Sequence, residues 1–222
     1  MTTAVVLAPA PWQPLPQTAQ ASTASPAVTR VIPDAPCDRF ITPNATYLDT
    51  DNHFRYTTDA EGRPSRAEST PDATFEEVGR TTNCATRVGN FTDNWHGVTL
   101  GGRGWDGGHL VADTLGGATR RYNLVPMLAT TVNRSGGVFY AFEDVARKCR
   151  DVQGVTIDYY QVDVTYLDNG IVFPASFHVQ MGLEDVDGTQ AYVDETIPWN
   201  PTTGQIHDLK AAFSDTRNQL GC

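Results

Sequence analysis

WDGGHLVADTLGGATRRYNLVPMLATTVNRSGGVFYAFEDVARKC, residues 105–149, is the stretch on which the rest of this chain turns. DGGHLVAD predicts a short apolar strand entered through glycines, and NLVPM predicts a second; both apolar runs are too short for a helix. TTVNRSGGVFYAFEDVARKCRD predicts a helix with Val138, Phe142 and Val145 near one face. Four polar side chains, His109, Asn123, Asn133 and Glu143, are spread through this strand–strand–helix pattern. Asn133 and Glu143 are ten residues apart, nearly three turns of a regular helix, so meeting at one point requires a loop or bend after Asn133. Ser135-Gly136-Gly137 can interrupt the helix there.

Outward from this core, VTIDYYQVDVTYL (155–167), DNG and IVFPASFHVQM (171–181) predict a hairpin, with Asn169-Gly170 as its tight turn. Pro174 implies that the second strand is an edge strand or bends there. Upstream, FRYTTD (54–59), the turn AEGRP and SRAEST (65–70) predict another hairpin. PDATFEEVGR (71–80) predicts a short helix, with Asp72 as cap and acids in its first turns. Residues 81–104 are turn-rich and end in LGGRG, which predicts loops around one or two short strands. HDLKAAFSDTRNQL (207–220) predicts a final helix. The fold class expected is α+β, with a mostly antiparallel sheet and flanking helices.

Residues 1–30 are rich in Ala, Pro and Thr, and no charged side chain occurs before Arg30. Such a segment buries too little apolar surface to offset its ordering entropy, so it is expected to be a flexible leader or linker, followed by one domain over 31–222. It is a poor signal peptide as it stands, being short, broken by proline and without a basic start. No apolar run reaches the roughly 20 residues that a membrane-spanning helix needs.

The formal charge is −10, which argues against a uniformly acidic surface meeting a polyanion. Residues 101–150 differ: seven bases (Arg103, Arg120, Arg121, Arg134, Arg147, Lys148, Arg150) against four acids (Asp106, Asp113, Glu143, Asp144) leave +3, so the remainder carries −13. Cys37, Cys84, Cys149 and Cys222 have no CxxC spacing and fit two disulfides, hence an oxidising compartment and a secreted protein. Three pairings are open, and a Cys37–Cys222 bridge joining the ends is an attractive one.

The polar set suits metal-assisted phosphodiester cleavage. That chemistry needs a base for water, positive charge on the phosphorane and help for the departing oxygen. A neutral imidazole can be the base, which points to His109. Mg²⁺ prefers hard oxygen ligands and keeps several waters, so one amide oxygen with outer carboxylates suffices, which points to Asn133 and Glu143. Each has an ordinary reading beside the chemical one. His109 can be a loop residue, Asn123 a turn residue, Asn133 a helix N-cap and Glu143-Asp144 a solvated face. Asp106 can orient the finger through local hydrogen bonds or make an Asx turn, and the turn is favoured. Arg87, Arg103 and Arg134 are candidate phosphate contacts, with Arg103 and Arg134 favoured by position. His53, His96, His178 and His207 stand in no motif. DTDNH (49–53) and EDVDGT (184–189) lack the glycine and glutamate of a calcium loop and are read as solvated turns.

DGGHL, GG, NLVPM, VNRSGG and FED together resemble the DNA/RNA non-specific endonuclease family, whose members carry a ββα-metal (His-Me) finger; FRYTTDAEGR resembles the hairpin preceding it in toxin-type members. The resemblance implies that His109 is the general base, that Asn133 is the direct Mg²⁺ ligand, that Glu143 contacts the ion through water, and that Asn123 supports the histidine or the finger. It implies hydrolysis of DNA and RNA with Mg²⁺, Mn²⁺ being a possible substitute, and 5′-phosphate products. This chain departs from many members in having Gly107 after the motif's Asp, and in a slightly longer interval from Asn133 to Glu143. Two other readings stay open: a secreted binding module that keeps the finger as scaffold, and the toxin domain of a larger exported protein with an immunity partner.

Overall fold

In a computed structural model, the residues described are 37, 40–49, 53–79, 83–96 (side chains to 93), 104–168 and 171–222. The leader, the start of folding near Val31, most of the LGGRG loop with Arg103, and the Asn169-Gly170 turn lie outside them.

Six antiparallel strands form the larger sheet in the order β1-β2-β3-β6-β7-β8. They are β1 (Thr46–Leu48), β2 (Phe54–Thr58), β3 (Pro64–Ser69), β6 (Thr156–Thr165), β7 (Ser176–Glu184) and β8 (Gln190–Pro198). Period-two alternation makes one face the core: Tyr160 and Val162 on β6, Phe177, Val179 and Met181 on β7, and Ala191, Val193 and Ile197 on β8 are buried. The separate ribbon of β4 (Trp105–His109) and β5 (Leu124–Leu128) pairs Trp105 with Leu128 and His109 with Leu124.

The helices are α1 (Cys84–His96), α2 (Val138–Arg150) and α3 (Thr203–Gln219). Buried Val138, Phe142 and Val145 place the α2 stripe on the sheet, as their spacing predicted. Phe142 lies 5.0 Å from the Tyr160 ring and 5.9 Å from Phe213 of α3. α3 begins at a capping box in which Thr202 and Gln205 satisfy each other's backbone N–H groups. The β2–β3 hairpin stands as predicted, and the whole is α+β, with a ββα finger of β4, β5 and α2 beside a mostly antiparallel sheet.

Several expectations are corrected. Residues 71–79 form no helix: Ala73 N–H closes a turn on Thr70, Thr74 N–H bonds the His53 ring, and Val78 N–H bonds Asp113 O, so the backbone is spent on other elements. Phe75 is buried against Phe54. Residues 84–96, expected as loop or strand, are α1. Thr86, Gly89, Asn90 and Thr92 are weak helix formers, and the helix instead gains from packing on the ribbon, where Val88 is buried. The predicted helix over 130–151 begins at Val138, after a wide π-type turn over Ala129–Asn133. β7 lies between β6 and β8, so it is not an edge, and Pro174 precedes it in the connection. β1 and β8 are strands that the pattern reading did not assign. The bridges are Cys37–Cys84 and Cys149–Cys222, not Cys37–Cys222. The first secures the start of α1, and the second ties the end of α2 to the C-terminus.

Asp144 joins α2 to α3. Its carboxylate accepts from Lys148 and Arg217, both at 2.9 Å, and from Arg147. Burial pushes the Asp144 carboxyl up, but hydrogen bonds from Lys148 and Arg147 outweigh it and hold it below the ordinary value. A depressed folded-state value stabilises the fold above the unfolded carboxyl range near ~3.9, and the contribution is lost as pH falls through the folded value. Asp144→Asn is therefore expected to cost on the order of 1 kcal/mol at neutral pH. In thermal melts the gap from the parent should close in strong acid.

Candidate active site

β4 carries the site because it is thin. A Cβ at Gly107 would lie 2.4 Å from the Ala85 carbonyl oxygen of α1. One at Gly108 would lie 2.3 Å from Met127 Sδ and 2.8 Å from Asn133 Oδ1. Helix α1 thus seats directly on the strand from one side, and the Asn133 side chain lies against it from another. An open cleft of about 860 Å³ results, with Ala85, Gly89 and Asp93 on one wall and Tyr140, Glu143 and Arg147 on the other. Asp106, His109, Asn133 and Arg134 lie between them.

His109 ends β4 and is 9% exposed, enough to reach the cleft. The chain immediately after it is held to the large sheet by two tyrosines. Tyr160 OH donates to Leu110 O at 2.9 Å, and Ala118 N–H donates to Tyr56 OH at 3.2 Å. Burial pushes both phenols well above their ordinary range, so the hydroxyl protons stay in place.

Asn123 is fully buried behind the cleft. Its Oδ1 accepts from Val111 N–H at 2.9 Å, and its Nδ2 donates to Val111 O and Ala118 O, both at 2.8 Å. It closes the loop between the two ribbon strands.

Asn133 closes the wide turn before α2, and the break over 134–137 aims it back at β4. Its Nδ2 donates to Asp106 Oδ2 at 3.0 Å. Arg134 holds the same carboxylate, with Nε 2.7 Å from Oδ2 and Nη2 2.7 Å from Oδ1. An ionised carboxylate accepts only, so the amide nitrogen must face it and the amide oxygen must face elsewhere. That oxygen lies over Gly108. Asp106, read from sequence as a turn former, is instead the acceptor for two residues 27 and 28 positions away. Its hydrogen bond and charge raise the already high value of Arg134.

The cleft gathers His109, Asn133, Arg134 and Glu143, while Asn123 stands outside it and Arg87 is exposed on α1 away from the lining. Pattern reading favoured a turn over an orienting role for Asp106, and it passed over Tyr140 and Arg147 as site residues. Tyr140, Glu143 and Arg147 recur at i, i+3 and i+7 on α2, opposite its buried stripe, and that period was available. Arg147 sits 4.7 Å above the Tyr140 ring. The local basic excess is largely internal. Arg121 is buried, Arg147 and Lys148 bond Asp144, and Arg150 bonds Phe75 O and Thr114 O. Among the described residues, the lining has Asp93, Asp106, Asp113 and Glu143 against Arg134 and Arg147, an excess of two negative charges with neutral histidine.

Asn123→Ala would strip partners from three backbone groups, two of them on buried Val111, and it is expected to cost roughly 3 kcal/mol in urea unfolding. A loss under ~1 kcal/mol would contradict the closing role.

Among solved structures, the chain is similar to NucA from Streptococcus agalactiae with magnesium bound, at 25% identity over 68% of this chain and 71% of that one, with a TM-score of 0.49. The form with no metal bound gives 22% identity over 67% and 71%, with a TM-score of 0.45. An extracellular endonuclease gives 17% over 70% and 77%, with a TM-score of 0.39. No curated protein matches the chain. The DNA/RNA non-specific endonuclease profile matches residues 43–184, which include both hairpin strands β2 and β3, the ribbon, α2 and the cleft between them, so the chain belongs to the DNA/RNA non-specific endonuclease family.

Proposed function

We propose that this protein is a secreted, Mg²⁺-dependent endonuclease that hydrolyses DNA and RNA without base preference. His109 is its general base, Asn133 its direct metal ligand and Glu143 a further contact to the hydrated ion. The observation that carries this reading is the orientation of the Asn133 amide. Asp106 takes its nitrogen at 3.0 Å, so its oxygen is turned away from that carboxylate, beside Gly108, on a residue that lines the cleft with His109 and Glu143. Hard oxygen donors in a cleft with negative excess fit a small dication, and Mn²⁺ is expected to substitute.

When bound, the ion supplies positive charge against the charge developing on the phosphate and the leaving oxygen. The chain's own residues do the rest. His109, neutral, takes the proton of the attacking water. The backbone beside it is held by the Tyr160 hydroxyl on Leu110 O, which fixes the point from which the ring projects. Arg134 and Arg147 line the cleft, and the guanidinium N–H groups that Asp106 and Asp144 do not take are donors for phosphate oxygens; Arg103, two positions before Trp105, is the third candidate. Contacts to the backbone carry no base information, which fits cleavage without sequence preference. Two disulfides fit action in an oxidising compartment.

Plasmid cleavage tests this. His109→Ala and Asn133→Ala should each lower the rate by about 10²–10⁴-fold with unchanged circular dichroism. Excess EDTA should abolish cleavage and added Mg²⁺ restore it. Undiminished cleavage in EDTA would remove the metal mechanism.

A further inference from the structure

We propose that Asp106 is a positioning residue which, braced by Arg134, fixes the end of the Asn133 amide that faces the cleft. This rests on the reading of Asn133 as the metal ligand. A free asparagine amide turns about its last torsion between two nearly equivalent placements, one presenting oxygen and the other presenting NH₂. Only the first can bind a cation. Both placements have the same shape, so packing alone discriminates poorly between them.

Asp106 discriminates by chemistry. Its Oδ2 accepts from Asn133 Nδ2 at 3.0 Å, and a flipped amide would set two oxygens against each other. The carboxylate is itself held in place: Arg134 bonds both its oxygens at 2.7 Å in a bidentate fork. Arg134 adjoins Asn133 in the chain, so one turn presents both the side chain to be oriented and the brace for its orienter. β4 supplies the rest, because Gly108 leaves room for the oxygen, 2.8 Å from where a Cβ would stand. Asp106 needs no contact with the ion to act in this way.

The test is direct Mg²⁺ binding by calorimetry, with Mn²⁺ binding by electron paramagnetic resonance as a second probe, alongside thermal melts. Asp106→Asn replaces an acceptor-only group by one that donates or accepts, and it should weaken Mg²⁺ binding about tenfold or more, in the range for groups that support a metal ligand. Arg134→Ala, at an exposed position, should weaken it in the same direction by less, and it keeps the proposal testable if Asp106→Asn does not fold.

The decisive arm is Asn133→Asp. A carboxylate presents oxygen at either end and needs no orienter, so adding Asp106→Asn to Asn133→Asp should cause no further loss. An equal loss from Asp106→Asn in both backgrounds would overturn the proposal and make Asp106 a general support. If Asp106→Asn binds Mg²⁺ like the parent while Asn133→Ala does not, positioning fails and the metal reading stands. If Asn133→Ala binds like the parent, the metal reading fails, and this proposal with it.

Discussion

β4 carries no side chain at positions 107 and 108, and the cleft is assembled in the space this leaves. At 107 the Ala85 carbonyl approaches to where even a methyl group would collide; at 108 the place is taken by Met127 and the Asn133 oxygen. A strand normally holds neighbours at side-chain distance. Here a helix and the turn that carries Asn133 reach the backbone itself, and that lets His109 share a cleft with residues from α1, the wide turn and α2. The arrangement is bought with backbone order, since two adjacent glycines weaken a strand. Pairing with β5 and the tyrosine contacts to the following loop offset that weakness.

His109, Asn133 and Glu143 could be singled out as candidates because the chemistry asks for those residue types in that order, and the fold brings all three to one cleft. The interruption by Ser135-Gly136-Gly137 was legible as a geometric need, and it falls where two candidate metal contacts had to converge. β6 and β7 declared themselves through alternation. β8 carries the same period in Ala191, Val193 and Ile197, with Glu195 in the same register blurring it.

What could not be read depends on partners distant in sequence. α1 has a weak intrinsic preference for helix and exists through its seat on the ribbon and its bridge to Cys37. Residues 71–79 imitate a helix start through Asp72, Glu76 and Glu77, but Phe75 is drawn into the core and Val78 bonds the loop at Asp113. Asp106 looked like a turn former because local hydrogen bonding is the default for such a residue. Its true partners lie 27 and 28 positions on. The basic count over 101–150 misled in the opposite sense, since a guanidinium spent on a carbonyl or a carboxylate adds little to a binding surface.

The central claim is that the Asn133 amide oxygen is the protein's direct ligand to a divalent ion. Anomalous diffraction from crystals soaked in Mn²⁺ tests it without reference to rate. The account predicts one strong peak in the cleft, within inner-sphere distance of Asn133 Oδ1, with Asp106 still bonded to Nδ2. A peak coordinated by Asp93 or Asp113 instead, with Asn133 in neither its first shell nor its hydration shell, would contradict it.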